Sequence, residues 1–209
     1  MFIEVAELLR CPAGHPATHH CVLLPTRIEA RVVWEGMIGC PVCETEYPIV
    51  DGVVMFGPAP APAVTPSALP DPEALHAFLG LTTPGGVVVL LGAVAEAAPA
   101  LGARLDGVHI ITLNGPASVA GASGVTRLVS GGGIPLRDGV ARAVVADATH
   151  AASVWTVDAV RVAQSGARVV VLATQPTVPD CDELASAAGV WVGTRRPPRS
   201  QIVPLRQSS

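Results

Sequence analysis

The chain has 209 residues and a formal net charge of −4; half of it is hydrophobic, yet only 3% is aromatic. All 13 basic residues are arginine, so neither Schiff-base chemistry nor a P-loop lysine is available. The acidic balance gives no reason to expect nucleic-acid binding by bulk electrostatics, and the length fits one medium domain or a small one followed by a medium one.

Ala, Val, Gly and Leu dominate the apolar fraction, which predicts a core of many small contacts without large anchors. The longest apolar stretch, Val87 to Ala103, is interrupted by Gly92, Glu96, Pro99 and Gly102 and falls short of a membrane span. A mean hydropathy of +0.49 leads us to expect that protein partners cover part of the surface. No charged start with an apolar run opens the sequence, and four of the five cysteines lie within the first 43 residues. A metal site in a reducing, cytoplasmic setting is therefore expected in place of a disulfide framework.

Phe2 to Arg10 reads as a short helix. Cys21 to Leu24, Ile28 to Trp34 and Tyr47 to Phe56 read as strands, with turns at Glu35-Gly36 and Asp51-Gly52. Cys40-Pro41-Val42-Cys43 has the spacing of a metal knuckle, in which both sulfurs reach one ion. One CxxC supplies half of a tetrahedral site. The preferred set is Cys11, His15, Cys40 and Cys43 around Zn2+, with Cys21 as the alternative second ligand and His19 or His20 behind it. A module this small would be marginal without such a staple, because the metal's binding energy becomes folding energy.

Leu8-Leu9-Arg10-Cys11-Pro12, Ile38-Gly39-Cys40-Pro41-Val42-Cys43 and Tyr47-Pro48-Ile49-Val50-Asp51-Gly52-Val53 together resemble the Trm112 family of zinc-ribbon proteins. Members bind and stabilise class I methyltransferases without a catalytic role of their own. Where that family usually has a second CxxC, this chain reads Ala13-Gly14-His15.

The run of alternating prolines from Gly57 to Pro72 can be neither helix nor central strand and predicts an extended tether. It divides the sequence into a zinc-ribbon-like module at 1–57, a linker at 58–72 and an α/β domain at 73–209. In that last part Glu73–Leu79, Val94–Leu105, Val154–Gln164 and Asp182–Ala188 read as helices. Gly86–Leu91, Val108–Leu113, Val125–Val129, Val140–Ala146 and Arg168–Ala173 read as strands, and Val190–Val192 with Gln201–Leu205 as a closing antiparallel pair. Alternation at this interval implies a mostly parallel, Rossmann-like sheet with helices on both faces.

Ile134-Pro135-Leu136-Arg137-Asp138-Gly139-Val140 through Asp147, and Ala159 to Leu172, resemble class I S-adenosylmethionine-dependent methyltransferases. In that family a glycine-rich turn and an acidic residue follow the first strand, because the ligand's approach needs bare backbone at the strands' carboxyl ends. Here the segment is Leu90-Leu91-Gly92-Ala93-Val94, and only Gly92 remains. The carboxylate expected after the second strand is replaced by Asn114, and Ser130-Gly131-Gly132-Gly133 stands where Gly-Asp is frequent. Charge-assisted hydrogen bonds contribute about 1.5–3 kcal/mol each, so the resemblance implies weak or lost S-adenosylmethionine binding, with Gly92 and Asn114 as the cofactor contacts left.

His150 reads as a loop residue, with general base as the sharper alternative; His76 and His109 read as helix-face and strand residues. Cys181 lies between Asp180 and Asp182, a setting that disfavours a nucleophile. Arg195, Arg196, Arg199 and Arg206 form a basic end that could touch RNA. The reading as a whole is a non-catalytic, zinc-binding scaffold subunit with no catalytic residue. An active methyltransferase, with Asp147 or His150 near the transferred methyl, and an RNA-binding module are the alternatives.

Overall fold

A computed structural model describes residues 1–15, 19–61, 69–119 and 124–197. Its centre is one eleven-stranded sheet in the order β1-β2-β3-β4-β7-β6-β5-β8-β9-β11-β10. The strands are β1 (Val22–Glu29), β2 (Val32–Gly39), β3 (Glu46–Val50), β4 (Val53–Met55), β5 (Val87–Leu91), β6 (His109–Leu113), β7 (Val125–Val129), β8 (Ala141–Ala146), β9 (Ala163–Val171), β10 (Cys181–Ala187) and β11 (Val190–Arg195).

From β7 to β9 the order is that of a doubly wound fold, third-second-first-fourth-fifth, and every pair in it is parallel. The α/β class with a mostly parallel central sheet and a closing antiparallel hairpin is thus as expected. The hairpin comes from different residues, however. The segment 182–188, read as a helix, is the edge strand β10, and it pairs antiparallel with β11. The other predicted strand of that pair, Gln201–Leu205, lies outside the described residues.

β1 to β4 form an antiparallel meander that continues the same sheet, because β4 pairs in parallel with β7 through Val53–Arg127, Val54–Leu128 and Met55–Val129. The predicted Asp51-Gly52 turn joins β3 to β4, with both residues at positive φ (48° and 75°). The predicted Glu35-Gly36 turn falls inside β2. The chain reverses instead at Ala30-Arg31, also at positive φ (48° and 68°). Gly36 serves a close approach, since a Cβ there would meet Leu24 O at 2.5 Å.

Residues Ile3–Leu8 form a 3-10 helix in place of the expected longer one. Leu9 then bridges to Leu136, and Arg10 N–H donates to Pro135 O at 3.0 Å, which ties the chain's start to the loop before β8. Helix α1 (Pro72–Leu79) is capped by Asp71, whose carboxylate accepts from Glu73 N (2.9 Å) and Ala74 N (2.8 Å). The helix predicted over 94–105 splits into a 3-10 stretch, Gly92–Ala97, and α2 (Ala98–Gly102). Pro99 explains the break, because without an N–H it is tolerated only in a first turn.

α1 and α2 cover one face of the sheet over Leu75, Leu79, Leu90, Leu101 and Ile110. On the other face α3 (Ser153–Val162) and the N-terminal segment share one core, in which Leu9, Ile38, Tyr47 and Phe56 meet Leu91, Leu113, Leu136 and Trp155. No helix among the described residues is long and apolar enough to cross a membrane.

Candidate functional site

The N-terminal segment and the β2–β3 turn bring four side chains together. The ligand atoms of Cys11, His15, Cys40 and Cys43 all lie within 4.8 Å of one another, an arrangement that could hold a metal ion. Cys40 O accepts from Glu44 N at 2.9 Å and Cys40 N donates to Thr45 O at 3.0 Å, which closes the knuckle. Three sulfurs and one imidazole are the soft, mixed donor set that zinc takes in closed tetrahedral sites.

The spacing is compatible with that geometry. Cys11 Sγ and Cys43 Sγ are 3.7 Å apart, and a tetrahedron of Zn–S bonds near 2.3 Å has edges of about 3.8 Å. His15 Nε2 to Cys40 Sγ, at 3.1 Å, is somewhat shorter than the edge of about 3.5 Å that one Zn–N and one Zn–S bond would span. Cys21 is buried nearby but is not one of the four. Burial pushes its thiol up to about 11, and the charges of Cys40, Cys11 and Cys43 add to the effect. His20 faces Arg137 Nη1 instead, at 3.3 Å from Nδ1.

Two hydroxyls flank the sulfurs. Tyr47 Oη is 3.1 Å from Cys11 Sγ, and Thr45 Oγ1 is 3.3 Å from Cys43 Sγ. Hydrogen bonds from the Thr45 side chain and backbone bring the exposed Cys43 thiol down to about 6. Burial pushes the Tyr47 hydroxyl well above the usual phenol range, and the neighbouring Cys11 adds to this.

The second place of interest is the carboxyl end of β5, β6 and β8, where an open sheet of this kind binds ligands. Here it is filled by a connected set of side chains. Asp147, just after β8, accepts from Ala93 N (2.7 Å) and His150 N (3.1 Å), and its Oδ1 is 2.7 Å from His150 Nδ1. The Asp147 carboxylate lies directly over Gly92, which sits at φ +78° and has no space for a Cβ.

On its other side His150 Nε2 is 3.1 Å from Asn114 Nδ2. Asn114, at the end of β6, exchanges two hydrogen bonds with Ser130 at the end of β7. Its Nδ2 donates to Ser130 O (2.8 Å) and its Oδ1 accepts from Ser130 N (2.9 Å). That exchange fixes which end of the amide faces His150. The ring must accept at Nε2 and therefore donates to Asp147 from Nδ1. Trp155 of α3 closes the set edge-on, with ring centroids 4.6 Å apart.

Both predicted cofactor contacts, Gly92 and Asn114, thus stand at the carboxyl end of the sheet and are engaged by the chain's own side chains. Burial pushes the Asp147 carboxyl up, but the bonds from His150 and from the Ala93 amide outweigh it and hold the group below its ordinary value. Leu91, Val94 and Ile134 around the set are also buried. His150, which the sequence reads as a loop residue with general base as the alternative, is a buried member of this set, and its partnership with Asn114 is the part the sequence does not give. The Asp147-x-x-His150 spacing, on a turn after a buried strand, was the available signal.

A groove of about 430 Å³ lies to one side, between the N-terminal stretch around Cys11 and α3; its lining includes Arg10, Cys11, Gly133 and Asp158 but neither Gly92 nor Asn114. The two arginines of the basic end that lie among the described residues are engaged: Arg195 Nη1 donates to Arg161 O, and Arg196 pairs with Asp182 at 2.7 Å. Arg199 and Arg206 lie outside the described residues. Cys181 is buried, which raises its thiol to about 11.

No protein-family model and no curated protein matches the chain. Among solved structures it is similar to geranyl diphosphate C-methyltransferase from Streptomyces coelicolor A3(2) (17% identity over 48% of this chain and 41% of that one, TM-score 0.41). It is also similar to a chain of the complex between the Haloferax volcanii Trm112 methyltransferase activator and a candidate methyltransferase (22%, 48% of this chain, 50% of that one, TM-score 0.39). A third is a candidate S-adenosyl-L-methionine-dependent methyltransferase from Methanococcus maripaludis (12%, 63% and 85%, TM-score 0.42). The chain spans less than half the length of the geranyl diphosphate methyltransferases it matches. The fold assignment stands on the strand order itself.

Proposed function

We propose that this protein is a non-catalytic, zinc-binding interaction protein, a subunit of a larger protein assembly. In this reading Cys11, His15, Cys40 and Cys43 hold a structural zinc in a front module resembling the Trm112 zinc ribbon. The part from residue 73 onward keeps a methyltransferase-type sheet whose cofactor cleft has been given over to packing.

One observation carries the proposal. At the carboxyl ends of β5, β6, β7 and β8 the polar groups of Asp147, His150, Asn114 and Ser130 satisfy one another. A ligand entering there would have to break these bonds and leave buried partners unmet, at a cost of about 1–3 kcal/mol each. The β4–β7 pairing supports the role of the front module: it offers its stabilising edge to the sheet of its own chain.

Calorimetry with S-adenosylmethionine tests the first half of the reading; no heat up to millimolar ligand is expected, and micromolar binding would overturn it. Metal analysis of the purified protein tests the second, with one zinc per chain expected. Purification from the native source should bring a defined protein partner with it, and a chain that consistently runs alone would count against the assembly role.

A further inference from the structure

Resting on the reading of the four-residue cluster as a metal centre, we propose that Tyr47 is an outer-sphere partner of that centre, its hydroxyl donating to the Cys11 thiolate and fixing where that sulfur points.

The placement follows from the strand. β3 alternates exposed and buried positions, so Tyr47 and Ile49 face inward while Glu46, Pro48 and Val50 face out. Directly opposite, Ile38 of β2 holds the register. The Tyr47 ring packs against Phe56 with centroids 4.7 Å apart, and Phe56 N–H donates to Val129 O at 2.7 Å. The ring is buried against Phe56, and its hydroxyl reaches Cys11 Sγ at 3.1 Å.

A metal-bound thiolate has no proton and can only accept, so the bond runs from Tyr47 O–H to Sγ. A buried tyrosine hydroxyl needs such a partner, and a thiolate that receives it carries less free charge. Cys11 is the sulfur for which this matters, because the residue is only 3% exposed and water cannot readily serve as its donor. Tyr47 would hold the sulfur toward the metal and blunt its nucleophilicity from the protein side. Outer-sphere partners of this kind commonly change metal affinity by about 10–100-fold.

The test uses the full chain loaded with Co2+, whose sulfur-to-metal charge-transfer band reports the electron richness of the thiolates. Tyr47→Phe keeps the ring and its contact with Phe56. It is expected to move the band to lower energy and weaken Co2+ binding by about tenfold or more in chelator competition. Tyr47 is the chain's single tyrosine, so growth on 3-fluorotyrosine alters this hydroxyl alone. The more acidic phenol is a stronger donor and should move the band to higher energy, a result that stands even if Tyr47→Phe fails to fold. A purely structural tyrosine would change affinity without this ordered shift. One band position in the wild-type, Phe and fluorotyrosine proteins would overturn the proposal while leaving the metal centre standing. Absence of any sulfur–cobalt band in the wild type would instead sink the metal reading itself.

Discussion

Gly92 and Asp147 touch as closely as a backbone and a carboxylate can: the Asp147 oxygens occupy the volume a Cβ on Gly92 would fill, while Oδ2 accepts from the next amide, Ala93 N, at 2.7 Å. Gly92→Ala should therefore combine left-handed strain at φ +78° with eviction of the carboxylate. The expected loss is about 2–4 kcal/mol in urea unfolding, from the backbone penalty and the broken hydrogen bonds together. A loss within a few tenths would mean that the turn readily re-forms around the methyl.

Asn114 bridges Ser130 and His150, so Asn114→Leu strands Ser130 N–H, Ser130 O and the His150 ring at once. Stability should fall by about 2–5 kcal/mol, in keeping with two or more buried groups left unmet. Asn114→Asp introduces the carboxylate that the sequence resemblance to class I methyltransferases implies at this position. It should nevertheless fail to produce S-adenosylmethionine binding in calorimetry, because His150 and Asp147 still fill the cleft. In the unaltered protein, nitrogen-15 spectra should show His150 carrying its proton on Nδ1.

Metal removal should act on the whole molecule through the shared core. Anything that binds only the folded state at a thousand times its dissociation constant adds about 4 kcal/mol. For a chain of this size that corresponds to about 8–16 °C in Tm. A strong chelator, or Cys40→Ser, should lower the thermal midpoint by that amount, read by circular dichroism. An unchanged midpoint would mean that no ion contributes.

Three groups set the acid response: the half-buried His109 ring, the buried Asp147 carboxyl and the Met1 amino group, which burial brings down to about 6, so that its contribution is also lost as pH falls. Burial lowers the His109 imidazole below its ordinary 6.5, so between the folded and unfolded values the unfolded chain binds more protons. That contribution is complete above about 6.5 and declines as pH falls. The Asp147 carboxyl is also held low, and its contribution is present above the unfolded value, about 3.9, and lost as pH falls through the folded one. Stability should decline in two stages on acidification. His109→Gln, which can keep the 2.9 Å bond to Thr126 Oγ1, should shrink the upper stage, which His109 shares with the Met1 amino group, and leave the lower one unchanged.

The strands β5 to β8 were legible because Val, Ile, Leu and Ala dominate each short run near glycines, even where Arg127 or Arg142 interrupts it. Asp182-Glu183-Leu184-Ala185-Ser186-Ala187 misled because its residues favour helix; pairing with β11 and the bond from Trp191 Nε1 to Glu183 Oε2 at 2.8 Å override that preference. The Ala30-Arg31 turn could not be found by composition, since neither residue is a usual choice for positive φ. The metal cluster was readable from its cysteine spacing, and the structure brings together the four residues preferred for it. The full Asp147–His150–Asn114 set was not, because Asp147 and His150 follow β8 while Asn114 follows β6, and the two ends meet only once the sheet is assembled.

The parallel seam between Val53–Met55 and Arg127–Val129 has a consequence for how the chain can be divided. Strand hydrogen bonds and a common apolar interior hold the two halves side by side without help from the covalent connection. A protein nicked within the proline-rich stretch should travel as one particle, and residues 1–57 and 73–209 made as separate polypeptides should find each other when mixed.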